Sequence, residues 1–436
     1  MGSWTDAARR LAGERQPLFA VILAFTFGFA ANGAIYASNV AQHELGAAGW
    51  QIGLSTAAQA LGIVLAAPLM WLLSRSPRPV NAPVLACAVA AAGFLAVTAH
   101  EHWAFVALAR FAFGCGLGLG VAHAEYTAIA KVRSDIRPMM VGMFGLAIAA
   151  GHMMGTLIAE SLGLWFIRLA VCGLILGCAL LTWDRGKVST MTMPASITEV
   201  ARIMKLMPVT FAAPLLFGFF DNGFLAMLPS YAMGLGLSAA DVTSMSFWAF
   251  AGVLALQLPA AILCTRFDTT VILRASVIAA IAVIMALSMT IGVPGFRLVL
   301  AFILGGIIDV FYTVGLVAIA NRLPRQQLAV GNACFVSLCG AGEVAGPIVT
   351  GELISWFGPQ ACFGVLAMLL AVYWFCSALS RETAGIAVAE PEPPLGSSNR
   401  RAPEATRATA AGNGLAFSSS SEPRNAIVPV ALPAST

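Results

Sequence analysis

Hydrophobic positions in this chain run in long unbroken stretches separated by short polar loops. Neither the strict alternation of a half-buried strand nor the single stripe of a surface helix organises them. A helix needs about 20 apolar residues to cross a bilayer. Twelve such helices are predicted, over 17–38, 48–73, 80–99, 103–126, 138–160, 163–183, 207–231, 241–264, 270–292, 296–320, 327–353 and 359–380. In lipid every backbone polar group must be bonded internally, which leaves helices and closed barrels. A barrel would show short alternating segments, and these are continuously apolar. The pattern predicts an all-α integral membrane bundle.

The pattern also repeats. Phe27-Gly28-Phe29-Ala30-Ala31-Asn32-Gly33 in the first segment returns as Phe217-Gly218-Phe219-Phe220-Asp221-Asn222-Gly223 in the seventh. Arg110 and Gly114 in the fourth are matched in place by Ala301 and Gly305 in the tenth. Gly151, His152 and Gly155 in the fifth are matched by Gly342, Glu343 and Gly346 in the eleventh. The offsets stay between 189 and 191 residues. Two six-helix halves, 1–183 and 206–380, are therefore expected, joined by a linker at 184–205 whose stretch Ile197 to Met207 is amphipathic. The Asn-Gly pairs predict a helix break near mid-bilayer in the first and seventh segments. Paired breaks at matching places in two halves point to a site for a solute.

Composition agrees: 59% of residues are hydrophobic, 10% are charged, and the mean hydropathy is +0.86. Soluble domains carry about 25% charged residues, so the solvent around this chain is mostly lipid. The net charge of +4 matters less than its placement. One set of loops carries Arg75 and Arg78, Lys131, Arg133 and Arg137, Arg185, Lys187, Arg202 and Lys205, Arg266, and Arg322 and Arg325. The opposite loops, around 39–47, 100–102, 161–162, 232–240, 293–295 and 354–358, carry no Lys or Arg. Positive loops stay in the cytoplasm, so both termini are expected there, in a bacterial inner membrane. The first apolar run is too long for a cleavable signal peptide. Nine cysteines are scattered without the CxxC spacing of a metal or redox site and read as packing residues. The tail, 381–436, is rich in Pro, Ala, Ser and Arg without apolar period, and is expected to be disordered.

At this level of detail the chain resembles the major facilitator superfamily over about residues 17–380. The helix-four signature R-x-x-x-G-x-g is matched by Arg110, Gly114 and Gly116, and Gly340 to Pro347 resembles the family's Gly-Pro interface motif. The loop signature between helices eight and nine aligns with Ala261 to Thr269, where Thr265 stands at the acidic position and both glycines are lost. Its first copy, Pro68 to Pro79, is looser and keeps Arg75 and Arg78. Tyr312 to Gly315 and Gln326 to Asn332 are most similar to the YcaD-like branch of bacterial carriers. The resemblance implies two parallel six-helix halves around a central cavity, with helices one, four, seven and ten lining it.

Polar groups buried in spans are costly and read as functional by default. At 1.5 Å per residue, Asn32, Arg110, His152, Asp221, Asn222, Asp309 and Glu343 fall in one layer, about 16–25 Å above the basic side. They are the candidates for binding substrate or protons. Structural readings compete with this: Asp221 as a cap on the broken backbone beside Asn222-Gly223, Arg110 as a partner for helix one, His152 and Glu343 as interface hydrogen-bonders; Asp309 has no obvious local partner. Arg75, Arg78, Glu125 and Arg266 are candidates for gating contacts at the basic side. No Walker A, HExxH or GxSxG pattern occurs, so neither ATP nor another cofactor is expected, nor an enzyme, nor a nucleic-acid partner. The reading is a monomeric secondary transporter of a small soluble solute in the lipid bilayer. Protons are the expected coupling ion, because desolvated carboxylates can carry them. Copper import through His152, Met153, Met154, Met139 and Met143 and a non-transporting sensor are the alternatives, and the direction of transport is open.

Overall fold

The computed structural model describes residues 15–74, 82–97, 99, 101–130, 137–162, 169–170, 173, 202–205, 207–323 and 325–380. All regular structure among the described residues is helical. The N-terminal half contains α1 (Arg15–Glu44), α2 (Gly49–Ser74), α3 (Ala82–Val97), α4 (Trp103–Ala130) and α5 (Arg137–Leu162). The C-terminal half contains α6 (Pro208–Phe220), a π turn (Asp221–Leu225), α7 (Leu228–Gly234), α8 (Ala239–Leu263), α9 (Thr269–Thr290), α10 (Pro294–Arg322), α11 (Arg325–Phe357) and α12 (Ala361–Leu379). Eight described helices are long and apolar enough to cross a membrane, or nine if α6 and α7 form one bent span. The sixth predicted segment, the linker except for 202–205, and the tail lie outside the described residues, or nearly so.

Helices in lipid gain nothing from hiding apolar surface from one another, so they associate where small residues let backbones touch. The sequence repeat marks those places. A Cβ on Gly28 of α1 would sit 2.4 Å from the Ile148 carbonyl oxygen of α5, and one on Gly218 of α6 would sit 2.0 Å from that of Cys339 in α11. Gly151 meets the Phe25 carbonyl, and its counterpart Gly342 meets that of Leu215. The same holds for α2 on α4, where Gly114 meets the Gln59 carbonyl, and for α8 on α10, where Gly305 meets that of Ala249. The repeat is thus a pair of interhelical contacts made twice.

The two halves meet at the end opposite the basic loops. There Tyr36 donates to the Ala239 carbonyl at 2.9 Å and accepts from Thr243 at 2.5 Å. Asn39 donates to the Ala226 carbonyl at 2.8 Å, and the Trp50 amide donates to Ser355 at 2.9 Å. α2 and α11 touch backbone to backbone beneath this, where Gly53 faces the Pro347 carbonyl. At the same end a Ser238–Asp241 capping box starts α8, and buried Arg297 of α10 pairs with Asp241.

One expectation needs correction. The break occurs in the seventh segment, which bends by 46° between Leu225 and Leu228, but α1 runs through Asn32-Gly33 unbroken. Asn-Gly is therefore not the cause. The difference is Pro229, which stands where the first repeat has Asn39. A helical proline offers no amide to the carbonyl four residues back and clashes with it. The turn before it opens instead, and the Ala226 amide reaches the Asp221 carbonyl at 3.0 Å.

Candidate functional site

The structure divides the seven predicted site residues into three groups. Asp221 lies close enough to Glu343 and to Asp309 in the C-terminal half for its charge to interact with each of theirs. All three are buried. Asp221 opens the π turn, and its Oδ2 has no hydrogen-bond partner among the described residues. Thr313, one turn along α10, donates to Asp309 at 3.2 Å, and the Cys339 thiol, one turn back on α11, lies 3.4 Å from Glu343 Oε1. No described cation forms an ion pair with any of them; the described pairs are Arg297–Asp241 and Arg322–Asp268.

Asn32, His152 and Asn222 form the second group, and they sit in the helix contacts set by the glycines. Asn32 donates to the His152 carbonyl at 3.2 Å and to Thr156 at 2.6 Å. Its repeat counterpart Asn222 donates to the Glu343 carbonyl at 3.3 Å. The His152 ring packs on Phe250 of the other half, with centroids 5.6 Å apart and Nε2 buried without a partner among the described residues. A cleft between the halves opens beside this group. Asn32, Tyr36 and Thr156 line it from one half, Leu225, Ser246 and Phe250 from the other.

Arg110 stands apart. Gly114, one turn on, lets the α2 and α4 backbones touch, which brings the guanidinium among the side chains of α1 and α2. Its Nε donates to Gln59 Oε1 at 3.1 Å, and its Nη1 donates to Asn39 Oδ1 at 2.7 Å and Ser55 Oγ at 3.1 Å. Every one of these groups is fully buried and neutral, and no described carboxylate pairs with Arg110. The residues that hold it, Asn39, Ser55 and Gln59, with Gln42 and Thr56 beside them, were not among the sequence candidates. The signal was present: Asn39 and Gln42 are three apart on α1, and Ser55 and Gln59 four apart on α2, so each pair shares a helix face.

The gating candidates are not brought together. Arg75, Arg78 and the side chain of Glu125 lie outside the described residues. Arg266 is exposed in the turn after α8. Among the described residues of the basic side, Arg322 donates to Thr210 at 2.9 Å and Thr270 at 2.6 Å and lies 3.9 Å from Asp268. These bonds join α6, α9 and α10 within one half. Among the described residues no group of three or more His, Cys, Asp or Glu could hold a metal ion.

Two paired helical halves, matching glycine contacts and buried polar groups at their meeting define a major facilitator fold. Residues 210–421 match the family described as Major Facilitator Superfamily. Among solved structures the chain is similar to the nucleoside transporter NupG, at TM-score 0.68 and 14% identity over 83% of this chain and 98% of that one. It is similar to a bacterial homologue of the human lysosomal transporter Spinster, inward-facing and unoccupied, at TM-score 0.64 and 14% identity over 83% of this chain and 96% of that one. A D-xylose-proton symporter matches at TM-score 0.64 and 13% identity over 83% and 97%. No curated protein matches the chain.

Proposed function

We propose that this chain is a secondary active transporter that moves a small soluble solute by alternating access and couples it to protons. The observation that carries the reading is the cluster of Asp221, Asp309 and Glu343, buried with no described cation in ion-pair reach. Burying an unpaired charge is costly, and such a group is cheaper to keep with a proton on it. Asp221 also opens the π turn just before the bend in its span, so a change in its charge acts where the helix is already irregular. A proton symporter among the structural neighbours supports the coupling ion. The loops rich in Lys and Arg support both termini in the cytoplasm, and the reading is of a monomer in a bacterial inner membrane. Placement in the YcaD-like branch rests on Tyr312 to Gly315 and Gln326 to Asn332.

The cation of the scheme is Arg110. When the ends of the halves that now touch move apart, Asn39 lets go of Ala226, and the guanidinium is freed to face the acids across the cavity. Proton release would follow from that approach. The test is flux in proteoliposomes. Asp221→Asn and Asp309→Asn should insert normally, and at least one should lose proton-driven accumulation while keeping downhill exchange. Full uphill transport with unchanged pH dependence in both variants would remove the carboxylates from the mechanism.

A further inference from the structure

The two halves share a backbone but not a chemistry. Where the N-terminal half has Ala31, Gly118 and His152, the C-terminal half has Asp221, Asp309 and Glu343. Where the N-terminal half has Arg110, Gln59 and Ser55, the C-terminal half has Ala301, Ala249 and Met245. The buried acids belong to the C-terminal half, and the fully buried cation Arg110 belongs to the N-terminal half.

The cation's bonding is incomplete in one direction. Arg110 Nη2 and Gln59 Nε2 are both buried without an acceptor among the described residues. They flank the same bond: Nη2 shares Cζ with Nε, and Nε donates to Gln59 Oε1. That bond also fixes the amide, since Nε–H needs the oxygen and turns Nε2 away. A guanidinium cannot shed its proton, and its three present acceptors are neutral. Two orphan donors beside a permanent buried charge describe a place for a negatively charged acceptor. The place is at the meeting of the halves, because Asn39, which accepts from Arg110, is also the residue that donates across to Ala226.

We propose that Arg110 and Gln59 form a subsite for a carboxylate, and that the transported solute is a small organic anion. This rests on the transport reading above and adds the substrate class. The anion's group accepts from Nη2 and from Gln59 Nε2, and it is admitted when Asn39 leaves Ala226. Arg110 offsets the anion's charge, and while the anion occupies it the guanidinium is withheld from the acids, which keep their protons. The loaded carrier therefore turns over without a net burden of negative charge, and the empty one releases the protons.

The test uses the full-length protein in detergent and in proteoliposomes. Acetate, lactate, succinate and inorganic phosphate are compared at matched ionic strength with xylose and uridine. At least one carboxylate should raise the unfolding temperature and exchange across the vesicle. Gln59→Leu, which alters no charge, should weaken that carboxylate about tenfold, the effect of one lost hydrogen bond to a charged group. Arg110→Lys should weaken it further. Exchange of a neutral solute with no response to any carboxylate would overturn the inference and keep the transport reading. Phosphate binding without carboxylate binding, or an unchanged carboxylate affinity in Gln59→Leu, would also overturn it. Carboxylate binding lost in Gln59→Leu, with no solute moving at all, would keep the subsite and sink the transport reading.

Discussion

Asn32 and Asn222 hold the same place in the two repeats and donate to the same carbonyl position, yet their loss should cost different amounts. The Glu343 carbonyl would normally accept from the amide four residues on, but that residue is Pro347. Asn222 replaces the missing donor. The His152 carbonyl keeps an amide from Thr156, and Asn32 adds to it. Asn222→Ala should therefore leave a buried carbonyl unsatisfied and cost about 1–3 kcal/mol. Asn32→Ala should cost about 0.6 kcal/mol, a typical interhelical bond in a membrane. Reversible unfolding in mixed micelles reads the difference, and equal losses would contradict the assignment of roles. The sequence made both asparagines conspicuous because both repeats carry them. The role of the second depends on a proline 125 residues away in the chain, a relation that appears only when α6 and α11 are placed side by side. Arg110 was legible as a buried cation for the same reason of composition. Its partners were not, because Ser, Thr and Gln among alanines look like ordinary small or polar residues until a helix face is assigned.

At the scale of elements, helix position was read closely: α8 was predicted at 241–264 and spans Ala239–Leu263. Continuous hydrophobicity sets the length of a span, and loop charge sets where it ends. The break was placed on Asn-Gly rather than on Pro229, since glycine and proline both punctuate helices and only the three-dimensional register tells which has lost its bond. The glycines in α1 and α6 act instead through their missing side chains. Gly28→Ala places a methyl 2.4 Å from the Ile148 carbonyl oxygen, so α1 and α5 must separate. Overpacking of this kind costs about 1–3 kcal/mol. Gly364 of α12 has nothing within 4 Å of a built Cβ, and Gly364→Ala should change stability by less than about 0.5 kcal/mol. Thermal unfolding of the two variants checks the contrast. A neutral Gly28→Ala would mean that the α1–α5 contact is looser than described.

For the whole molecule, the asymmetry of loop charge gives a direct topology test: a reporter fused at Arg322 should read cytoplasm and one at Leu237 the outside. The larger question is whether the two halves move against each other. Their described hydrogen bonds cluster at the end away from the basic loops, through Tyr36, Asn39 and Trp50 on one side and Thr243, Ala226 and Ser355 on the other. A rocking carrier must break this set once per cycle, and a few hydrogen bonds at about 0.6 kcal/mol each can be broken reversibly. A covalent bond in the same place cannot. With native cysteines replaced, Trp50→Cys paired with Ser355→Cys should cross-link on mild oxidation, because the Trp50 amide lies 2.9 Å from the Ser355 hydroxyl. Cross-linking should abolish solute exchange, reduction should restore it, and either single variant should ignore the oxidant. Exchange that continues at full rate in fully cross-linked protein would show that this end of the bundle never opens. The cycle would then have to run through a different motion, and Asn39 could not be the residue that releases Arg110.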